Sequence, residues 1–192
     1  KQEAQLRQDY VEQSAFDQAL QERITRTLYK TVDRLADWSH KSDFNMVAVE
    51  QSFGTAEGWP SIPIDLGKNR YLNLTGQIDR IDMWEDAGVH YGAIIDYKTG
   101  NASISATDVY YGLKYQLITY LMALAMSPLG KDSYAAGTMY MPVRNPKVSA
   151  SQPITEAQAL NVVKDKSSLK TSGYYTDYIP LLSHMDQLIY QV

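Results

Sequence analysis

Ala93-Ile-Ile-Asp-Tyr-Lys-Thr-Gly100 reads as an apolar strand that delivers Asp96 and Lys98 and then stops at a glycine turn. Side chains alternate along a strand, so Asp96 and Lys98 emerge on one face and Tyr97 on the other. Upstream, Leu72 to Met83 reads as a second strand, with Gly76-Gln-Ile-Asp-Arg-Ile-Asp82 at its centre. Trp84-Glu-Asp-Ala-Gly88 between the two runs has the composition of a hairpin turn. Pairing of the runs sets Asp79 beside Asp96. Downstream, Tyr110-Tyr-Gly-Leu-Lys-Tyr-Gln-Leu-Ile-Thr-Tyr-Leu121 reads as a helix with Gln116 and Tyr120 four apart on one face.

Two carboxylates and a lysine in a small space describe a divalent-metal site with a cation beside it. Mg²⁺ takes hard oxygen ligands and is commonly held by one or two carboxylates, with waters and substrate phosphate completing its shell. Asp79 and Asp96 meet that need, the main-chain carbonyl of Tyr97 offers a third oxygen, and Mn²⁺ is an alternative ion. Phosphodiester hydrolysis is the chemistry such a site serves, because the metal acidifies a bound water and neutralises charge growing on the phosphate. Lys98 can orient or help deprotonate that water and stabilise the transition state. A compact ammonium on a flexible stem suits this role.

Asp79, then Asp96-Tyr97-Lys98, then a helix carrying Gln116 and Tyr120 resembles the PD-(D/E)xK nuclease superfamily. More narrowly, the quoted pieces resemble the RecB-like nuclease domain of AddB/RexB, the B subunits of bacterial helicase–nucleases that resect double-strand breaks. A bare Asp-x-Lys is weak, whereas three pieces in order on elements of the right type are a strong signal. The resemblance implies an α/β, restriction-endonuclease-like fold: a central mixed sheet of four or five strands flanked by helices, in the order αβββαβ. It covers Met46 to Arg144, so that 1–192 reads as one nuclease-domain fragment with helical flanks at 1–40 and 155–192. It implies catalytic roles for Asp79, Asp96, Lys98, Gln116 and Tyr120, with metal ligation by Asp79, Asp96 and Tyr97. It also implies Mg²⁺-dependent cleavage of single-stranded DNA threaded by a helicase subunit of the AddA/RexA type, in a bacterial cytoplasm. Without it, Tyr120 would read as amphipathic core and Gln116 as helix surface.

The rest of the chain bounds this reading. A length of 192 residues, 44% hydrophobic and 21% charged, suits one globular domain with a real core. A net charge of −4 argues against a freestanding, sequence-independent DNA binder, which is normally basic, and fits better if other domains or a partner supply basic surface. Fifteen tyrosines against three phenylalanines favour surfaces that are apolar but wet at one edge. With no cysteine, neither disulfides nor a Cys-held iron–sulfur cluster can form in this chain, although many AddB-type domains resemble one another in carrying such a cluster. No run reaches membrane-spanning length. The start at Lys1 reads as excision from a longer polypeptide.

Residues 4 to about 38 show helical spacing, with a possible break near 21–24. His40 is expected as a solvated helix-end residue, and the histidine that RecB-like nucleases carry before the sheet is expected upstream of Lys1. Met46–Phe53 reads as the first core strand; its Glu50 is either a carboxylate beside the metal or an ordinary salt-bridged residue. A loop with Gly54, Gly58, Pro60 and Pro63 leads to an edge strand at Ile62–Leu66. Arg80 and Asp82 fall on the face opposite Asp79, as solvated surface or an internal ion pair. Ser105 or Thr107 caps the next helix, whose apolar side is Leu113, Leu117, Tyr120, Leu121 and Leu124. Tyr110, Tyr111, Lys114 and Tyr115 face either nucleic acid or a partner. Ser133–Val143 reads as the last core strand, Thr155 as a helix cap, Lys164–Gly173 as a mobile loop or a phosphate-contacting strip, and 179–192 as a final helix. Two other classes stay open: a catalytically silent nuclease-fold module that binds DNA or a partner, and a standalone nuclease of the phage or CRISPR kind.

Overall fold

The structure is a computed structural model that describes residues 15–100, 103–144, 152–155, 158 and 171–185. Its elements are α1 (Ala15–Lys41), β1 (Asn45–Phe53), β2 (Ile62–Asp65), β3 (Tyr71–Leu74), β4 (Gly76–Asp86), β5 (Val89–Lys98), α2 (Ala106–Tyr110), α3 (Gln116–Ala125), β6 (Ser133–Pro142), β7 (Ser172–Tyr175) and α4 (Ile179–Leu182). Five strands form one mixed sheet in the order β1-β4-β5-β6-β7; only the β5–β6 pair is parallel. A parallel neighbour needs a crossover, and α2 and α3 supply it. The series α1, β1, β4, β5, α3, β6 gives the expected αβββαβ core.

β5 is central, and its residues Ala93-Ile94-Ile95 are buried from both sides. Ile94 packs with Ile81, Phe53, Tyr120, Ala123 and Leu124 on the face beneath α3. Ala93 and Ile95 point the other way, to Trp38, Phe44, Met139, Met141, Leu181 and Met185, beneath α1 and the 171–185 segment. Each fully buried isoleucine contributes about 1.5–3 kcal/mol, so this one strand ties both layers together. β4 and β5 are joined through Ala87-Gly88, both at positive φ (49° and 81°), the two-residue turn whose twist matches a hairpin.

Several expectations change. The run Leu72–Met83 is two strands: β3 pairs with β2 in a separate ribbon, and the chain enters the main sheet only at Gly76. Alternation continues unchanged through Thr75, so the pattern carried no boundary. The helix before the sheet runs unbroken from Ala15 to Lys41, and residues 4–14 lie outside the described region. The helix expected to bury Leu113 is interrupted: α2 ends at Tyr110, Gly112 turns at φ +77°, and Leu113 is 72% exposed. β7, which begins in the last two residues of the stretch read as a loop or strip, pairs with β6 and extends the core beyond Arg144; Ser-Gly-Tyr-Tyr has no apolar alternation to announce it. The final helix spans only Ile179–Leu182 before a turn at Ser183–Met185; later residues lie outside the described region, as do 159–170. Thr155 and Gln158 do bond reciprocally as a helix start: the Thr155 N–H donates to Gln158 Oε1 (2.9 Å) and the Gln158 N–H to Thr155 Oγ1 (3.3 Å). Among the described residues no helix is long and apolar enough to cross a membrane.

Candidate active site

The β4–β5 ladder closes at Arg80↔Ile95 and then opens into a fork. Beyond that pair β4 continues along β1, with Gln51↔Ile78 and Phe53↔Gly76, while β5 continues along β6, with Asp96↔Tyr140 and Lys98↔Pro142. Asp79 and Asp96 stand one step into the gap. Asp79 fills the missing rung itself: its Oδ2 accepts the Tyr97 N–H at 2.8 Å. Strand alternation then puts Asp79, Ile81, Ile94, Asp96 and Lys98 on the α3 face. Asp96 is 1% exposed at the end of the apolar strand, which is where burial costs a carboxylate most.

Lys98 Nζ lies 2.6 Å from Asp96 Oδ2 and donates to Gln116 Oε1 at 2.9 Å. An ammonium only donates, so it takes the amide oxygen and turns Gln116 Nε2 toward Tyr120, whose hydroxyl oxygen it reaches at 2.9 Å. The Tyr120 O–H is thereby left to donate elsewhere. Burial raises the Tyr120 pKa, the Gln116 bond opposes that, and the charges of Asp96 and Asp79 add to it, so the phenol stays protonated. Burial alone would lower Lys98, but its bond to Asp96 and that carboxylate's charge win and raise it, keeping the ammonium charged. Burial raises Asp96, with Asp79's charge adding and Lys98 opposing. The five residues expected at the site are therefore brought together, on two strands and one helix.

Two residues were missed. Tyr140, in register with Asp96, holds its ring 5.3 Å from Lys98 Nζ, a cation–π distance. Nothing in Thr-Met-Tyr-Met marks it until the parallel register is known. Phe53 meets Tyr120 edge-on, with ring centroids 6.2 Å apart. It also covers Gly76, where an added Cβ would lie 2.8 Å from its ring. Gly76→Ala should therefore cost about 1–3 kcal/mol by overpacking and displace Phe53 from Tyr120. A urea unfolding curve for that variant checks it, and an unchanged midpoint would refute it.

Other expected residues stand apart. His40 is exposed at the end of α1. Glu50, between Val49↔Arg80 and Gln51↔Ile78, lies opposite Asp79 but is exposed; its backbone is left-handed (φ 49°), and its carbonyl accepts from Gln77 Nε2 at 3.2 Å. Arg80 and Asp82 form an internal ion pair on the far face, with Nε–Oδ1 at 2.6 Å and Nη2–Oδ2 at 2.7 Å.

Residues 1–186 match the PD-(D/E)XK nuclease superfamily. The chain belongs to this family. Among its relatives are the ATP-dependent helicase/deoxyribonuclease subunits B of Desulforamulus reducens, 35% identical over 95% of this chain, and of Moorella thermoacetica, 33% identical over 96%. That of Clostridium novyi is 33% identical over 88%. This chain covers 16%, 16% and 15% of those proteins respectively, so it is similar to one part of each.

For a PD-(D/E)XK nuclease the donor set suits a hard divalent cation. Asp79 and Asp96 offer carboxylate oxygens across the fork, and the buried Oδ2 of Asp96 has the Lys98 ammonium as its counter-ion at 2.6 Å. A third His, Cys, Asp or Glu does not join them among the described residues. Two carboxylates without a fuller cage match the sparse protein ligation that Mg²⁺ prefers.

Proposed function

We propose that this domain is a metal-dependent deoxyribonuclease, the nuclease part of a bacterial helicase–nuclease that resects double-strand breaks for recombinational repair. In this reading it works in the cytoplasm on single-stranded DNA delivered by a helicase partner of the AddA/RexA type. The observation that carries it is the fork, where Asp79 and Asp96 converge and Lys98 projects on the same face. A cation there would be held by Asp79 and Asp96, with the Tyr97 carbonyl available, and when bound it supplies charge neutralisation at the phosphate and a more acidic water. Mg²⁺ is the expected ion and Mn²⁺ its substitute.

The chain's own groups do the rest. Lys98, held as an ammonium, sets a fixed positive charge against the anion that grows on the phosphoryl oxygens. Gln116 fixes the Lys98 head and the Tyr120 hydroxyl in one hydrogen-bonded row, so neither reorganises when substrate arrives. Tyr120, kept protonated, donates to a phosphate oxygen or positions the attacking water. The test is cleavage of a labelled single-stranded oligonucleotide with Mg²⁺, with Mn²⁺ and with a chelator. Cutting that needs the metal is expected; binding without cutting in either metal would move the assignment to a catalytically silent DNA-binding module.

A further inference from the structure

We propose that Tyr110, Tyr111 and Tyr115 form a stacking lip for unpaired DNA bases at the entrance to the fork. The proposal rests on the nuclease reading and names how its substrate is gripped. The three rings are 81%, 69% and 56% exposed, a large aromatic surface for one short segment to leave in water. The segment is built to display them. Ser105 Oγ caps α2 by accepting the Asp108 N–H at 3.1 Å, and Lys114 ties the segment down through Asp108 Oδ2 at 3.0 Å and the Ser103 carbonyl at 2.5 Å. Gly112, at φ +77°, reverses the chain so tightly that an added Cβ would lie 2.9 Å from the Tyr115 hydroxyl. The Tyr110 and Tyr111 rings meet edge to face at 5.1 Å, an arrangement that covers one face of one ring and leaves the other π faces out of the contact.

Position decides the occupant. Tyr115 immediately precedes Gln116, the residue that bonds Lys98, so the lip is continuous with the candidate active site. Charge points the same way. The chain carries −4 overall, and the lip's own cation, Lys114, is already paired with Asp108, so phosphate attraction is a weak handle here. Stacking needs no positive charge and accepts every base, which suits a nuclease fed an arbitrary strand.

The experiment compares binding of a short oligo-deoxythymidylate with that of an abasic deoxyribose-phosphate strand of equal length, by fluorescence anisotropy, in chelator so that nothing is cut. Each of Tyr110→Ala, Tyr111→Ala and Tyr115→Ala should weaken oligo-deoxythymidylate binding on the order of tenfold. The corresponding phenylalanine variants should retain it, and the abasic strand should bind weakly and equally to all. Affinity should also vary little with salt. If the parent chain fails to prefer bases over the abasic strand, or the alanine variants keep full affinity, the proposal is overturned and the rings are assigned to a protein partner. Metal-dependent cutting that is lost in Asp96→Ala but untouched by the tyrosine variants would leave the nuclease reading standing and remove only the lip.

Discussion

Asp96→Asn is expected to lower metal-dependent cleavage on the order of a thousandfold while leaving the fold at least as stable as the parent. The two halves of that result have one cause. Asp96 sits at the end of the buried run of β5, 1% exposed, and its pKa is raised first by burial and then by Asp79, against the opposing pull of Lys98. A carboxylate whose pKa is raised on folding favours the folded state most when protonated. Its ionised form therefore opposes folding, and that opposition grows as pH rises through the window from the ordinary aspartate value to the raised one. Asparagine keeps the shape and removes the charge, so the strain goes and with it the ligand and the partner of Lys98. Lys98→Ala should also abolish most cutting, by about a hundredfold or more, because Lys98 is the cation in direct contact with Asp96, at 2.6 Å. Cleavage rates paired with thermal melts check both. A melting point that collapses in Asp96→Asn would assign the residue to structure instead, and cutting within tenfold of the parent would mean that the metal is held elsewhere.

What could be read in advance, and what could not, divides along one physical line. Asp79, Asp96 and Lys98 were legible because a strand's period of two fixes which side chains share a face, and a hairpin fixes which strands are neighbours. That Gln116 and Tyr120 share a face was legible because four residues make about one helical turn, whereas their place at the site was implied by the family resemblance. Both inferences are local. Tyr140 was not legible, since its approach to Lys98 depends on a parallel register set across an entire crossover. The same holds for β7, whose Ser-Gly-Tyr-Tyr pairs with β6 from a distant part of the chain. The break between α2 and α3 had a local signal in Gly112, but an apolar spacing that ran through it outweighed that glycine. The alternation across Thr75 similarly hid a change of sheet. Periodicity tells which faces are apolar; it does not tell whether successive stretches of the same period belong to one element.

Arg80→Ala is expected to destabilise the domain by about 3–5 kcal/mol, the largest loss of stability from a single truncation at the fork. Arg80 is 7% exposed and Asp82 1%, and they are bonded bidentately at 2.6 and 2.7 Å, so removing the guanidinium leaves a buried carboxylate without its cation. Burial alone would lower the Arg80 pKa, yet the bond and charge of Asp82 more than offset it; burial raises Asp82, and the bond and charge of Arg80 oppose that rise. The guanidinium also lies 5.2 Å from the centre of the Trp38 ring, which makes it the link between β4 and the buried end of α1. A charge pair inside an apolar layer is not there because ions stabilise cores. Replacing both partners by Met and Leu should recover most of the loss, since desolvating two ions consumes much of what their attraction returns. The pair's position explains more than its energy does. Arg80 is the last β4 residue in register with β5 and adjoins Asp79, so its side chain pins the base of the fork from behind while the carboxylate projects in front. The Arg80→Met, Asp82→Leu double variant should thus unfold near the parent's urea midpoint but cut more slowly, because Asp79 loses a rigid neighbour. If that variant unfolds as early as Arg80→Ala, the pair is a net stabiliser of this core. If it cuts at the parental rate, the fork is held by the backbone ladder alone.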